Sequence, residues 1–117
     1  VASRLLLVLA AGLAAAACTG AEERGRRLYA ERGCAVCHGA NGRGDGPSAK
    51  RLDAPPRDFA DVRGYSQGAG LNAIAASIRR GAGAMPPFRD ITEPEARDIA
   101  AWIVSLQHRP AESGGQR

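Results

Sequence analysis

Apolar positions in this chain recur at helical spacing in short stretches, with long polar segments between them. Leu71, Ile74, Ala75 and Ile78 fall at i, i+3, i+4 and i+7, one stripe of a short helix. Arg79 and Arg80 suit the negative end of its dipole, and Gly81 suits a left-handed cap. Ile99, Trp102, Ile103 and Leu106 make a second stripe behind Thr92-Glu93-Pro94-Glu95, a capping box with proline in the first turn. Ala21 to Arg32 places charges around an apolar pair, Leu28 and Tyr29, with Glu22 and Glu23 at its start and Arg32 at its end. Gly25 lowers helix propensity within that segment and predicts close approach of another backbone. Gly39 to Pro56 is rich in Gly, Asp, Asn and Pro and reads as loop, and Gly81 to Phe88 (GAGAMPPF) reads as loop again. No alternating strand pattern and no internal repeat stands out. The expected fold class is all-α, three to four short helices joined by long loops, and loops of that length in a small domain usually serve a ligand.

The two ends read differently from the middle. Arg4 followed by an apolar run from Leu5 to Ala17 predicts a secretory signal over residues 1–17, too short for a bilayer span of roughly 20 residues. Cleavage is expected before Cys18. Ala15-Ala16-Ala17-Cys18 resembles the bacterial lipobox, whose cysteine is acylated, although relatives usually have Leu, Val or Ile where Ala15 stands. The alternative is an ordinary small-residue cleavage site. Acylation would give the odd one of three cysteines a role and hold the domain at the membrane. The expected organisation is a signal over 1–17, a linker or lipid anchor over 18–21, one domain over 22–108, and a frayed polar tail over 109–117. Export implies the bacterial periplasm.

Composition adds one problem. The 117 residues suit a single small domain, and 44% hydrophobic residues exclude both a disordered tail and a membrane bundle. Aromatics are only 4%, namely Tyr29, Phe59, Tyr65, Phe88 and Trp102, so a core built from side chains alone lacks bulk. The net charge is +4. Arg43, Lys50, Arg51, Arg57, Arg63, Arg79, Arg80 and Arg89 sit in the loops or the middle helix, either as a docking rim or as a solvated surface diluted by Asp45, Asp53, Asp58, Asp61 and Asp90. Few aromatics in an exported domain argue against nucleic acid.

Cys34-Ala35-Val36-Cys37-His38 carries the chemistry. Residues three and four apart share a helix face, so both sulfurs and the imidazole can address one object. The spacing reads as a c-type haem attachment, in which two thiols add to the vinyl groups and His38 ligates iron. A thioredoxin-like redox pair would need a βαβ setting. A zinc site would need Cys18 and His108 as further ligands. A plain disulfide would leave His38 idle. Outside this string the chain offers Met85 and His108 as a sixth ligand. Met85 precedes Pro86-Pro87 in a glycine-rich loop, where the prolines stiffen the backbone around it. A core-filling methionine would sit on a helix stripe instead, so Met85 is the expected axial ligand and His108 a surface histidine.

Taken together, residues 22–107 resemble a class I cytochrome c. That family has an N-terminal helix with a glycine and an aromatic, then C-x-x-C-H, a Gly-Pro loop, a middle helix, a Met-Pro loop and a C-terminal helix with an aromatic. Here these parts are Gly25 and Tyr29, Cys34 to His38, Gly46-Pro47, Leu71 to Arg80, Met85-Pro86 and Trp102. The resemblance implies a cytochrome c fold around one haem c held through Cys34 and Cys37. It also implies a crossing of the first and last helices at Gly25, and a bond from the His38 N–H to the Pro47 carbonyl, with Pro55 and Pro56 as rivals. Tyr29 stands five residues before Cys34 where many relatives have four, which predicts a bulge near Gly33. An iron with both His38 and Met85 bound has no open position, so the expected function is one-electron transfer to redox partner proteins, such as an oxidase, reductase or dehydrogenase, rather than enzymatic catalysis. The alternatives are a haem subunit of a larger oxidoreductase complex, or a peroxidase or gas-binding protein if Met85 does not stay bound.

Overall fold

The computed structural model describes residues 20–108; the expected signal, Cys18 and the tail over 109–117 lie outside the described residues. Helix α1 covers residues 20–31, so residues 20 and 21 are already helical where a linker was expected. Helix α2 spans Ala35–His38, α3 spans Leu71–Arg80 and α4 spans Glu93–Gln107. Two 3-10 turns, Ala49–Arg51 and Val62–Gly64, punctuate the long loop between α2 and α3. Among the described residues the only β-type pairing is an isolated bridge between Ala82 and Met85. The all-α expectation holds.

The stripes read from the sequence are the buried faces. Ile74, Ala75 and Ile78 of α3 and Ile99, Trp102, Ile103 and Leu106 of α4 join Tyr29, Phe59 and Ile91 in one core. The start of α4 is closed as its sequence requires: the Thr92 hydroxyl accepts from the Glu95 amide, and the Glu95 carboxylate accepts from the Thr92 amide at 2.8 Å. Thr92→Ala is expected to cost about 1 kcal/mol in a denaturant melt, the usual worth of an N-cap.

Helices α1 and α4 cross where Gly25 was expected to admit a neighbour. A Cβ on Gly25 would lie 1.9 Å from the Asp98 carbonyl oxygen and 2.9 Å from the Ile99 nitrogen. One turn on, the Tyr29 and Trp102 rings pack at 4.5 Å. Outside the crossing, the Arg24 guanidinium donates to both Asp98 carboxylate oxygens, at 2.8 and 3.2 Å. Arg32 reaches Asp90 at 3.0 Å and Glu95 at 3.2 Å, tying the end of α1 to the entry of α4. The extra residue between Tyr29 and Cys34 is absorbed as a wide turn: the Cys34 amide donates to the Tyr29 carbonyl, five residues back, and Gly33 takes a φ of +79°.

Candidate haem site

Four separate segments converge on one apolar cleft. Its walls include Cys34 and His38 from the α1–α2 junction, Ile74 and Ile78 from α3, Met85 from the loop after α3, and Ile103 from α4. Cys37, one turn beyond Cys34, is half-buried and is not part of this lining, and neither is Pro47. His108 is exposed at the end of α4, as expected of a surface histidine.

The short helix α2 is positioned by its backbone. The amides of Cys37 and His38 donate to the Cys34 carbonyl at 3.3 and 2.9 Å, so the attachment string forms one tight turn. The following loop is stitched back onto it: Gly46 N donates to Cys37 O at 3.1 Å and Ser48 N to Val36 O at 2.9 Å, bracketing the exposed Pro47. Met85 is presented by another small turn, in which Ala82 and Met85 exchange backbone hydrogen bonds of 3.2 and 3.0 Å. Phe88 N then donates to Ile78 O at 3.0 Å and fastens that loop to α3.

One residue was not singled out from the sequence. The Phe59 ring stacks on the His38 imidazole, with centroids 4.8 Å apart and planes at 26°. Tyr29 meets Phe59 edge-on at 6.2 Å and packs on Trp102, so the aromatics run from the α1–α4 crossing to the imidazole. Phe59 lies in an Asp-rich loop with no periodic neighbours; a lone buried-type ring in such a segment was the only signal for it. The bond expected between the Pro47 carbonyl and the imidazole is not formed at Nδ1, which is buried without a hydrogen-bond partner. In this structure stacking on Phe59, rather than a hydrogen bond to that nitrogen, holds the ring.

Protonation follows from burial. Desolvation pushes the His38 pKa down and favours the neutral imidazole, the form that binds metal. It pushes the Cys34 thiol up, opposite to the activated thiolate of a thioredoxin-like pair. Cys34 and Cys37 are free thiols, not a disulfide. Among the described residues no group of three or more His, Cys, Asp and Glu side chains is arranged to hold a metal ion. A neutral imidazole with an orphaned buried nitrogen, a thioether and the Cys34 thiol on one apolar cleft, with the Cys37 thiol one turn beyond, fit a covalently held haem. It also answers the shortage of aromatic bulk.

Comparison with known proteins agrees with this chemistry. A family model described as cytochrome c oxidase, cbb3-type, subunit III matches residues 20–103. The chain is 32% identical over 90 residues to cytochrome c-551 of Azotobacter vinelandii, covering 71% of this chain and 98% of that protein. It is 31% identical over 108 residues to cytochrome c-551 of Stutzerimonas stutzeri, covering 88% and 96%. It is 28% identical over 111 residues to cytochrome c-552 of Hydrogenobacter thermophilus, covering 89% and 98%. Among solved structures it is similar to a chain of the reducing HAO-like protein complex of Kuenenia stuttgartiensis, with a TM-score of 0.66 and 28% identity over 74% of this chain. The match spans 43% of that chain, so this protein corresponds to less than half of it. With the attachment turn, the methionine loop and the crossed terminal helices all in place, the chain belongs to the cytochrome c family, as a small class I c-type member.

Proposed function

We propose that this protein is a one-electron carrier in which His38 and Met85 would ligate the iron of a haem anchored through Cys34 and Cys37. The observation that carries the reading is the convergence of Cys34, His38 and Met85 on one apolar cleft without a carboxylate in its lining. When bound, the haem supplies a one-electron Fe(III)/Fe(II) couple, which a thioether ligand shifts toward Fe(II). The protein's own residues do the rest. Phe59 fixes the plane of the imidazole by stacking, and the Ala82–Met85 turn holds the thioether on the opposite segment. Ile74, Ile78, Ile99 and Ile103 keep water from the cleft, which lowers the reorganisation needed when charge changes. Tyr29 is no proton donor for catalysis, because burial pushes its phenol well up and its hydroxyl already donates to the Gly39 carbonyl. Pro47, bracketed against α2, is the residue whose carbonyl we assign to accept from the imidazole N–H in the haem-loaded protein.

Low-spin absorption with the weak far-visible band of iron–thioether ligation, and a reversible one-electron titration, are the expected results for the purified ferric protein. A high-spin spectrum would overturn the reading and bring ligand binding forward.

The signal-like pattern over residues 1–17 supports export to the periplasm, where redox partner proteins would meet the domain. The similarity to one chain of a protein complex also supports protein partners. Acylation at Cys18 predicts a membrane-associated protein that Cys18→Ser releases into the soluble periplasmic fraction. Wild type found already soluble there would end the lipid-anchor reading.

A further inference from the structure

A second concavity lies behind α3. It is a groove of about 670 Å³ between α3 and the entry of α4, lined by Asn72, Ala76, Arg79, Arg80, Arg89 and Arg97 among others. At 3.6 residues per turn, Asn72, Ala76, Arg79 and Arg80 project from the side of α3 roughly opposite Ile74 and Ile78, which face the haem cleft. The arginines expected from the sequence at a haem-side rim therefore divide: Arg79, Arg80 and Arg89 belong to this other face. Helix-dipole complementarity accounts for Arg79 and Arg80 in the last turn of α3, but not for Arg89 and Arg97 arriving from the next loop and from α4.

The groove has the features of a built anion site. Arg79 Nε donates to the Ile91 carbonyl at 3.2 Å, and Arg97 Nη1 donates to Asn72 Oδ1 at 2.8 Å. Each guanidinium is thereby oriented while keeping other N–H groups free, so less side-chain entropy remains to be lost on binding. Among the described residues the Arg80 and Arg89 guanidiniums have no hydrogen-bond or ion-pair partner. Glu93 is the single carboxylate in the lining, against four guanidiniums.

We propose that this groove docks an acidic segment of a partner protein, whose Asp and Glu carboxylates pair with Arg79, Arg80, Arg89 and Arg97. The groove is far larger than one phosphate, and its charges come from three segments rather than converging on one point. It is concave, so a flat anionic bilayer meets its rim before its floor. The small side chain of Ala76 leaves room there for a peptide backbone to lie close. Because the groove faces away from the cleft, a partner held there leaves the cleft side of the domain free to exchange electrons. The proposal rests on the electron-carrier reading, since a carrier must engage protein partners.

The test uses the full-length, haem-loaded protein at low ionic strength and a fluorescent octaglutamate peptide read by anisotropy. Saturable binding is expected, weakened about tenfold by the pair Arg80→Gln and Arg89→Gln, two exposed charges at roughly 0.7 kcal/mol each. The pair Arg26→Gln and Arg27→Gln, an equal loss of charge on α1, is expected to leave affinity within about twofold. Unchanged binding in the groove pair, or an equal loss in the α1 pair, overturns the proposal. So does displacement of the peptide by inorganic phosphate at matched charge, or capture by phosphatidylglycerol vesicles without peptide binding. Potentiometry on the same samples separates the two readings: a reversible one-electron couple without peptide binding sinks only the groove, whereas peptide binding without that couple sinks only the carrier.

Discussion

In the haem-loaded protein, Met85→Ala yields a ferrous form that binds carbon monoxide rapidly and a ferric form that loses the far-visible thioether band. The expectation follows from the placement of Met85, whose loop brings its thioether to the cleft that also holds His38. Losing a thioether removes the preference for Fe(II), so the reduction potential falls. The fold should survive, because Met85 is only partly buried and packs at the margin of the core. A stability loss of about 2 kcal/mol is expected from the vacated volume. Carbon monoxide difference spectra and a redox titration of wild type and variant decide the matter. Identical spectra in the two proteins would remove Met85 from the iron.

Gly25→Val is expected to be the most damaging single change to the scaffold. At 1.9 Å from the Asp98 carbonyl oxygen, even a first side-chain carbon has no room, and the obstacle is helix backbone that cannot rotate aside. The α1–α4 crossing must open, which loosens the Tyr29–Trp102 contact and the Arg24–Asp98 pair with it. A cost of about 3 kcal/mol or more is expected, a large part of the 5–15 kcal/mol that holds a typical domain. The control lies on the same helix. A Cβ on Gly20 would meet only the tip of the Arg24 side chain, at 3.4 Å. Gly20→Ala should therefore be neutral or stabilising by up to about 1 kcal/mol, since alanine is the better helix former. Chemical denaturation of the two variants beside wild type gives the comparison, and equal losses would show that helix propensity, not the crossing, sets the role of Gly25.

Much of the fold is legible in the residues because each helix carries its own instructions. The Leu71–Arg80 stripe and its glycine cap, and the Thr92 capping box ahead of Ile99 to Leu106, are local patterns, and the helices form where those patterns place them. The bulge near Gly33 was readable too, since one surplus residue between Tyr29 and Cys34 had to go somewhere. The beginning of α1 was less legible: residues 20 and 21 carry no strong helix signal, yet they continue the helix.

By itself, the sequence determined the helices, the attachment string and the identity of the single methionine ligand candidate, because spacing and residue chemistry are properties of neighbours along the chain. Only the tertiary structure decided that Phe59 stacks on His38, and that the carbonyl behind Gly25 is that of Asp98. It also decided that Arg79, Arg80, Arg89 and Arg97 share a groove turned away from the cleft. Periodicity shows which face of a helix is buried or exposed, but what stands across from that face is set by the packing of segments far apart in the chain.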